Sequence, residues 1–119
     1  SGEKMPRKND NEPYTRITSE EANQIIEDKE GIVIDVRGED EYIKGHVKGA
    51  TLIPVDQITT RFNELPQEKK LLFICAVGAR SGLACEFAAS LGISEDRLFN
   101  IDDGTPTWIE KGFPSEKGL

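Results

Sequence analysis

Several residue types are scarce in this chain of 119 residues. It contains two cysteines and one histidine, and also one methionine and one tryptophan. Two cysteines ten positions apart form neither a zinc pattern nor a disulfide framework, and a single histidine removes most other metal sites. We therefore expect no bound metal, and the question becomes what Cys75 and Cys85 each do.

Long apolar runs are also missing. None approaches the roughly 20 residues that a membrane-spanning helix requires, so we expect no membrane segment. Residues 1–11 are polar and mixed in charge, and such a composition does not resemble a signal peptide. We expect a cytoplasmic protein, with an export signal removed ahead of Ser1 as the open alternative.

Positive charge is in short supply. The chain has 15 Lys and Arg against 22 Asp and Glu, a net charge of −7, which is the wrong sign for a protein that neutralises many phosphates. We therefore expect no nucleic-acid partner. The hydrophobic fraction of 36% and the charged fraction of 31% fit a soluble globular protein. The length allows one compact domain but not two with separate cores.

The apolar pattern divides the chain into a lead and one domain. Residues 1–12 are rich in charged and amide side chains without apolar periodicity, which predicts a flexible N-terminal lead. The domain occupies residues 13–119 and shows no internal repeat or linker. Short strands are predicted at 14–17, 32–34, 50–53, 71–74 and 97–101.

Helices are predicted between these strands. Thr18 and Glu21 form a capping box that begins the first helix, and Gly31 ends it. A further helix is indicated by a stripe of three apolar residues, Ile58, Phe62 and Leu65. The other helices are predicted at 39–44, 81–91 and 105–111. Strands that alternate with helices predict an α/β fold, a mainly parallel sheet with helices on both faces.

Cys75 stands where α/β sheets bind ligands, beyond the carboxyl end of a strand. It opens a short loop that contains Gly78 and ends at Arg80, ahead of a helix. Such a loop can direct several backbone N–H groups at one point, and the helix N-terminus and Arg80 add positive charge. These effects favour a thiolate and lower the pKa of the cysteine from its usual ~8.5. A plain buried cysteine is the alternative, but it does not need this loop.

Three ordered motifs between residues 35 and 114 resemble the rhodanese family. The first comprises Asp35-Val36-Arg37, Glu41-Tyr42, Gly45-His46-Val47-Lys48-Gly49-Ala50 and Ile53-Pro54. The second is the loop Cys75-Ala76-Val77-Gly78-Ala79-Arg80-Ser81. The third comprises Asp103-Gly104, Trp108 and Gly112-Phe113-Pro114. All three together make a more specific match than any one alone.

The resemblance implies a rhodanese-like three-layer fold with a central sheet of about five strands. It implies a sulfurtransferase in which Cys75 carries a sulfur atom as a persulfide, from a small-molecule donor to a thiol or cyanide acceptor. The donor would be thiosulfate or a persulfide, including one carried by a protein partner. No cofactor is implied. The substrate-binding residues would be Ala76, Val77, Gly78, Ala79 and Arg80.

Loop length separates two chemistries within this fold. Four residues stand between Cys75 and Arg80, as in sulfur-transferring rhodaneses, whereas the related dual-specificity phosphatases have five. The tighter loop suits a sulfur atom better than a phosphate, which argues against a phosphatase or arsenate reductase. A sulfur carrier loaded by a dedicated partner stays open, and so does a non-catalytic rhodanese-like binding module.

Two features depart from the family's pattern. Arg80 is the only charge of the loop, since the other variable positions are apolar: Ala76, Val77 and Ala79. Many members have a basic or polar residue beside the cysteine, so thiosulfate would bind weakly here and a persulfide donor is favoured. Asp103-Gly104 stands where Gly-Gly is common, which affects turn geometry more than chemistry.

The remaining cysteine and the histidine are expected to be structural. Cys85 lies on the helix after the loop, where helical spacing points it away from the site, and a disulfide with Cys75 is the less favoured alternative. His46 could suggest a Cys–His catalytic pair. The resemblance instead assigns it a structural loop position.

Polar residues near the other strand ends are also expected to be structural. Arg37 and Glu41 are four residues apart and are expected to form an ion pair or loop clamp. Asp35 ends a strand and is expected to shape the site. The pair Asp102-Asp103 is expected to form a turn, and Trp108 to belong to the core.

Overall fold

A six-stranded sheet forms the centre of residues 5–119, which are the residues that the computed structural model describes. Each strand is parallel to its neighbours except the first, which is antiparallel to the second. The strands in order across the sheet are β1 (Arg7–Lys8), β2 (Thr15–Ile17), β7 (Leu98–Ile101), β6 (Lys70–Ile74), β3 (Gly31–Asp35) and β5 (Thr51–Leu52). A separate antiparallel pair consists of β4 (His46–Val47) and β8 (Ser115–Glu116).

The sheet begins inside the segment predicted as a lead. Residues 1–4 lie outside the described residues, but Arg7 pairs with Arg16 in the sheet. The Arg7 guanidinium also lies 3.0 Å from the Asp102 carboxylate. Charged side chains suit an edge strand because they oppose pairing with other chains. The composition that suggested an irregular lead is therefore also compatible with a short strand.

In the part of the chain that the structure describes, four α-helices cover the sheet: α1 (Ser19–Glu27), α2 (Glu39–Lys44), α3 (Ala79–Ser90) and α4 (Gly104–Glu110). The predicted capping box of α1 is present, since Thr18 Oγ1 accepts from the Glu21 N–H and Glu21 Oε1 accepts from the Thr18 N–H. The helix predicted at 81–91 begins two residues earlier, directly after Gly78. The loop that opens at Cys75 therefore ends at Gly78 and is shorter than the motif Cys75–Ser81.

The helix predicted from Ile58, Phe62 and Leu65 does not form. Two separate 3₁₀ turns, Val55–Gln57 and Phe62–Glu64, take its place. Ile58 and Leu65 are nevertheless buried, so their apolar character was informative and their helical spacing was not. Three consecutive β-branched residues, Ile58-Thr59-Thr60, lower the helix propensity of this short segment.

The core lies on both faces of the sheet, and β6 divides its side chains between them. Leu71 and Phe73 pack on one side with α3, whereas Leu72 and Ile74 pack on the other side with Trp108 of α4 and with α1 and α2. This alternation follows from the two-residue period of a strand. The three-layer α/β fold is confirmed, with six strands in the central sheet. Within residues 5–119, no helix has both the length and the apolar character needed to cross a membrane.

Candidate active site

Cys75 lies at the carboxyl edge of the sheet, directly after the central strand β6. Residues 75–78 connect this strand to α3, and the turn requires Gly78, whose φ is +93°. A Cβ at Gly78 would lie 2.9 Å from the backbone oxygen of Asp102. Left-handed backbone and close approach to the end of β7 both exclude other residues here. The chain is thus forced to curl around the cysteine.

The Cys75 sulfur is held by hydrogen-bond donors. Its Sγ lies 3.1 Å from the Gly78 nitrogen, which donates to it, and 3.3 Å from Ser81 Oγ. Burial raises the pKa of Cys75, but the Ser81 hydroxyl and the backbone N–H groups of Ser81, Val77 and Gly78 outweigh it and lower the pKa below its ordinary value. The loop therefore favours negative charge on sulfur.

The five predicted binding residues contribute differently to this arrangement. Val77 and Gly78 supply backbone N–H groups, and the Val77 side chain is 77% exposed at the tip of the loop. Ala76 turns its carbonyl toward α4, and Ala79 begins α3. The Arg80 side chain donates to another partner and not to Sγ.

Glu41 of α2 is the partner of Arg80. The two guanidinium nitrogens lie 2.7 and 3.0 Å from the two carboxylate oxygens. Hydrogen bonds from Arg80 lower the pKa of Glu41 to about 2, so the pair stays charged at neutral pH and is lost only as the pH falls towards that value. Arg80 thus closes the loop against α2, and its charge is matched by a carboxylate.

The ion pair predicted between Arg37 and Glu41 is wrong, but the alternative of a loop clamp fits both residues, since each holds a loop through another partner. Arg37 instead binds Asp35, with its Nη2 2.8 Å from Asp35 Oδ2, and the same nitrogen donates to Gly45 O at 2.8 Å. Asp35 is fully buried at the end of β3, and a buried carboxylate requires a charged partner. Arg37 precedes Gly38, the N-cap of α2, so it lies outside the helix and the four-residue spacing does not place it against Glu41.

α4 holds the other side of the loop through the backbone of Cys75 and Ala76. The Thr105 N–H and hydroxyl both donate to Cys75 O, at 2.9 and 3.1 Å. Gly104 has a φ of +79°, and a Cβ there would lie only 1.8 Å from Ala76 O. The Asp103-Gly104 motif therefore needs its glycine, because any side chain there would collide with the loop.

The two aspartates before α4 serve the fold. Asp103 accepts from the backbone N–H and the hydroxyl of Ser19, at 3.0 and 2.8 Å, and so joins α4 to the start of α1. Asp102 pairs with Arg7 and lies 3.6 Å from an Arg16 nitrogen. Their hydrogen bonds match the structural role predicted for this turn.

Three further residues with predicted structural roles are buried. Cys85 is fully buried in α3, its Sγ is 3.5 Å from Phe99 O, and burial raises its pKa well above the usual value. His46 stacks on Tyr42 with ring centroids 3.6 Å apart, and its Nδ1 lies 2.7 Å from Tyr42 O. Trp108 is buried in the core. None of these side chains is placed to react with a substrate.

Sequence reasoning missed two residues behind the cysteine. Ser81 is fully buried, and its hydroxyl lies 2.5 Å from Oδ1 of Asn100, which is also buried. The motif marks Ser81 only as the end of the loop, and the apolar pattern marks Asn100 only as part of a strand. A signal was present, since a polar amide inside the apolar run Leu98–Ile101 needs a hydrogen-bond partner once it is buried.

A cleft of about 340 Å³ opens beside the loop, between α2 and α4. It is lined by Arg37, Glu41, Lys44, Gly45, Thr105, Pro106 and Ile109. Thr105 and Glu41 are also the residues that hold the two sides of the loop. The cleft therefore offers a small organic group a mixed polar and apolar surface, bounded by residues that contact the loop rather than by the loop itself.

Comparison with known proteins decides the family. Residues 18–111 match the rhodanese-like domain. The chain belongs to the rhodanese family. In this rhodanese-like domain the loop and the Asp103-Gly104 motif both fall inside the matched range, and Gly112-Phe113-Pro114 follows it directly.

Relatives of the rhodanese-like domain match over most of its length. A protein of Allochromatium vinosum named sulfurtransferase is 30% identical over 99 residues, which are 82% of this chain and 91% of that protein. A rhodanese-related protein from Thermoplasma volcanium superposes with a TM-score of 0.75 and 32% identity, over 85% of this chain and 96% of that chain. A rhodanese-like domain protein from Staphylococcus aureus superposes with a TM-score of 0.75 and 28% identity, over 87% of this chain and 98% of that chain.

Proposed function

We propose that this rhodanese-like domain transfers sulfane sulfur through a persulfide on Cys75. The observation that carries the proposal is the position of Sγ, buried at the end of β6 and within hydrogen-bond distance of the Gly78 N–H and the Ser81 hydroxyl. Such donors stabilise a sulfur anion and activate it as a nucleophile. Similarity to the Allochromatium vinosum sulfurtransferase supports the same reaction class.

The first half-reaction loads the cysteine. The Cys75 thiolate attacks the outer sulfur of the donor, a bond forms between Sγ and that sulfur, and the donor's own bond to it breaks. Thiosulfate would leave as sulfite, and an organic persulfide as a thiolate. The N–H groups of Val77, Gly78 and Ser81 favour negative charge on Sγ, and they would also stabilise the anionic sulfur that loading adds next to it.

The charges around the loop favour a persulfide over thiosulfate as the donor. Arg80, in the first turn of α3, is the only cation of the motif Cys75–Ser81, and Glu41 matches its charge. A dianion such as thiosulfate therefore meets little net positive charge from this pair. A small organic persulfide can instead place its carbon chain in the cleft, against Pro106 and Ile109.

Intact-mass analysis tests the proposal. The protein is incubated with thiosulfate or with a small organic persulfide, the donor is removed, and the mass of the intact protein is measured. We expect a gain of one sulfur atom, larger in yield with the persulfide, and its removal by cyanide as thiocyanate. A protein that gains no sulfur from either donor contradicts the proposal and favours a non-catalytic binding module.

Sulfur carriage is a second candidate, favoured by the pairing of Arg80 with Glu41. A carrier would receive its sulfur from a partner protein's persulfide and would turn over thiosulfate poorly. The mass experiment separates the two. Full loading by a persulfide, with slow release to every small thiol, points to a carrier, whereas fast release points to an enzyme.

Glu41→Gln is expected to improve the use of thiosulfate. The substitution removes the negative charge beside Arg80 and leaves the guanidinium free to attract a dianion, an effect of about fivefold on kcat/KM for an exposed charge. The rate with a small organic persulfide, which carries less negative charge than thiosulfate, should change less. Steady-state kinetics with both donors at low ionic strength measure the difference.

Glu64→Gln is the matched control. Glu64 forms a comparable exposed pair with Arg61 at 2.8 Å, on a 3₁₀ turn rather than against the loop. It should leave the kinetics of both donors unchanged. Equal effects of the two substitutions, or no gain with Glu41→Gln, would show that the Glu41 charge does not set donor preference.

A further inference from the structure

Behind Cys75, three side chains and one carbonyl form a hydrogen-bonded chain. Sγ lies 3.3 Å from Ser81 Oγ, and that oxygen lies 2.5 Å from Asn100 Oδ1. Asn100 Nδ2 in turn donates to Gly78 O at 3.1 Å. Cys75, Ser81 and Asn100 are each at most 1% exposed, so bulk water does not supply substitute partners.

The Gly78 carbonyl fixes the direction of this chain. A carbonyl only accepts, so Asn100 turns Nδ2 towards it and leaves Oδ1 facing Ser81. Oδ1 also only accepts, so the Ser81 hydroxyl donates its single proton to Oδ1. In this arrangement Ser81 Oγ presents a lone pair to Sγ, which is the pairing that a neutral S–H group requires.

A thiolate requires the opposite pairing. It has no proton to donate, so Ser81 must turn its one hydroxyl proton from Asn100 Oδ1 to Sγ. The amide oxygen and the sulfur therefore compete for one donor. Hydrogen bonds to a charged acceptor are roughly twice as strong as neutral ones, so the sulfur wins when it is ionised and the amide wins when it is not.

We propose that Ser81 is a catalytic residue whose hydroxyl turns to Sγ when Sγ carries the charge, and that Asn100 is the positioning residue that recovers this hydrogen bond when Sγ is neutral. This inference rests on the sulfur transfer proposed above. The Ser81 hydroxyl would then be a hydrogen-bond donor that reorients with the charge on the sulfur, whereas the backbone N–H groups keep one orientation.

The charge on Sγ changes once in each half-reaction. During loading, the electron pair of the Cys75 thiolate forms the bond to the donor's sulfur, and Ser81 returns to Asn100. During discharge, an acceptor thiolate forms a bond to the outer sulfur, and the bond between that sulfur and Sγ breaks. Its electron pair goes to Sγ, and Ser81 turns to the leaving thiolate. No proton leaves Ser81 in either step.

The test compares Ser81→Ala with Asn100→Leu in the full chain. One readout is the pH profile of Cys75 alkylation by iodoacetamide, and the other is the rate at which a small thiol discharges the persulfide. Ser81→Ala should move the profile to higher pH and slow discharge about ten- to a hundredfold, the range for a hydrogen bond to a charged group. Asn100→Leu removes the competitor and should move the profile to lower pH.

The double substitution and the neighbouring charges complete the design. Ser81→Ala with Asn100→Leu should have the profile of Ser81→Ala alone, because Asn100 acts only through the hydroxyl. Ser81→Thr keeps a hydroxyl and should retain the wild-type profile. Charged groups near the loop are unchanged in every variant: Arg80, Glu41, Arg37, Asp35 and Asp102.

Two results would overturn the inference. The first is a Ser81→Ala variant whose alkylation profile and discharge rate equal those of the wild type. The second is an alkylation profile that moves in the same direction in Ser81→Ala and Asn100→Leu, as a merely structural role predicts. If Asn100→Leu does not fold, the contrast between Ser81→Ala and Ser81→Thr decides. Alkylation needs no sulfur donor, so opposite shifts in a protein that forms no persulfide would support the competition while rejecting sulfur transfer.

Discussion

Cys75→Ser is expected to abolish sulfur transfer. A serine hydroxyl does not ionise near neutral pH, and the loop that lowers the pKa of the Cys75 thiol cannot bring an alcohol into that range. We expect no sulfur-bearing mass and a rate of thiocyanate formation equal to that without protein. The fold should persist, because sulfur and oxygen differ little in size and Gly78 and Ser81 can bond to either.

Cys85→Ala is the control for this experiment. Cys85 lies inside α3 rather than in the loop, and burial raises the pKa of its thiol whereas the pKa of Cys75 is lowered, so Cys85 stays un-ionised. We expect this variant to keep most of its sulfur transfer and to lose only some stability through the small cavity. Loss of the persulfide in Cys85→Ala, or its survival in Cys75→Ser, would show that Cys75 does not carry the sulfur.

Among the glycine-to-alanine substitutions, Gly104→Ala is expected to cause the largest loss of stability. Gly104 has a φ of +79°, and the new Cβ would lie 1.8 Å from Ala76 O, so α4 and the loop must move apart. Left-handed backbone and overpacking together cost about 2–5 kcal/mol. Urea denaturation should show this loss in the free energy of unfolding, and mass analysis should show little persulfide, because Thr105 no longer reaches Cys75 O.

Gly112→Ala separates the two causes. Gly112 has nearly the same backbone, with a φ of +78°, but no atom lies within 4 Å of its added Cβ. It should therefore lose only the backbone part, about 1–2 kcal/mol, and form persulfide normally. If Gly104→Ala lost no more stability than Gly112→Ala, contact between α4 and the loop would not be what requires glycine.

Much of the fold was predictable because it depends on local patterns. The run at 71–74 and the capping box at Thr18 and Glu21 each specify an element within a few residues, and both are present. The segment around Ile58 was mispredicted because helical spacing does not prove a helix, and turns buried the same side chains. Arg7–Lys8 was missed because an edge strand needs no apolar pattern.

The candidate site was predictable only in part. The loop at Cys75 could be placed from its position after a strand, and Gly78 from the turn. The partners of its polar side chains could not, since Arg80 pairs with a residue 39 positions away and Ser81 with one 19 positions away. Helical spacing suggested a nearer partner for Glu41, and only the packing of α2 against the loop selects the distant one.

Burial of Sγ also determines which end of a loaded persulfide an acceptor can reach. A persulfide has two electrophilic sulfurs: attack on the outer one passes sulfur on, whereas attack on the inner one expels hydrosulfide and traps the protein as a mixed disulfide. Cys75 is 1% exposed and is contacted by Ser81 of α3 and Thr105 of α4, so the outer sulfur of the proposed persulfide would be the more accessible of the two. In the proposed reaction, the choice of sulfur is therefore steric. The residues around Cys75 that stabilise the anion also shield the inner sulfur from the unproductive attack.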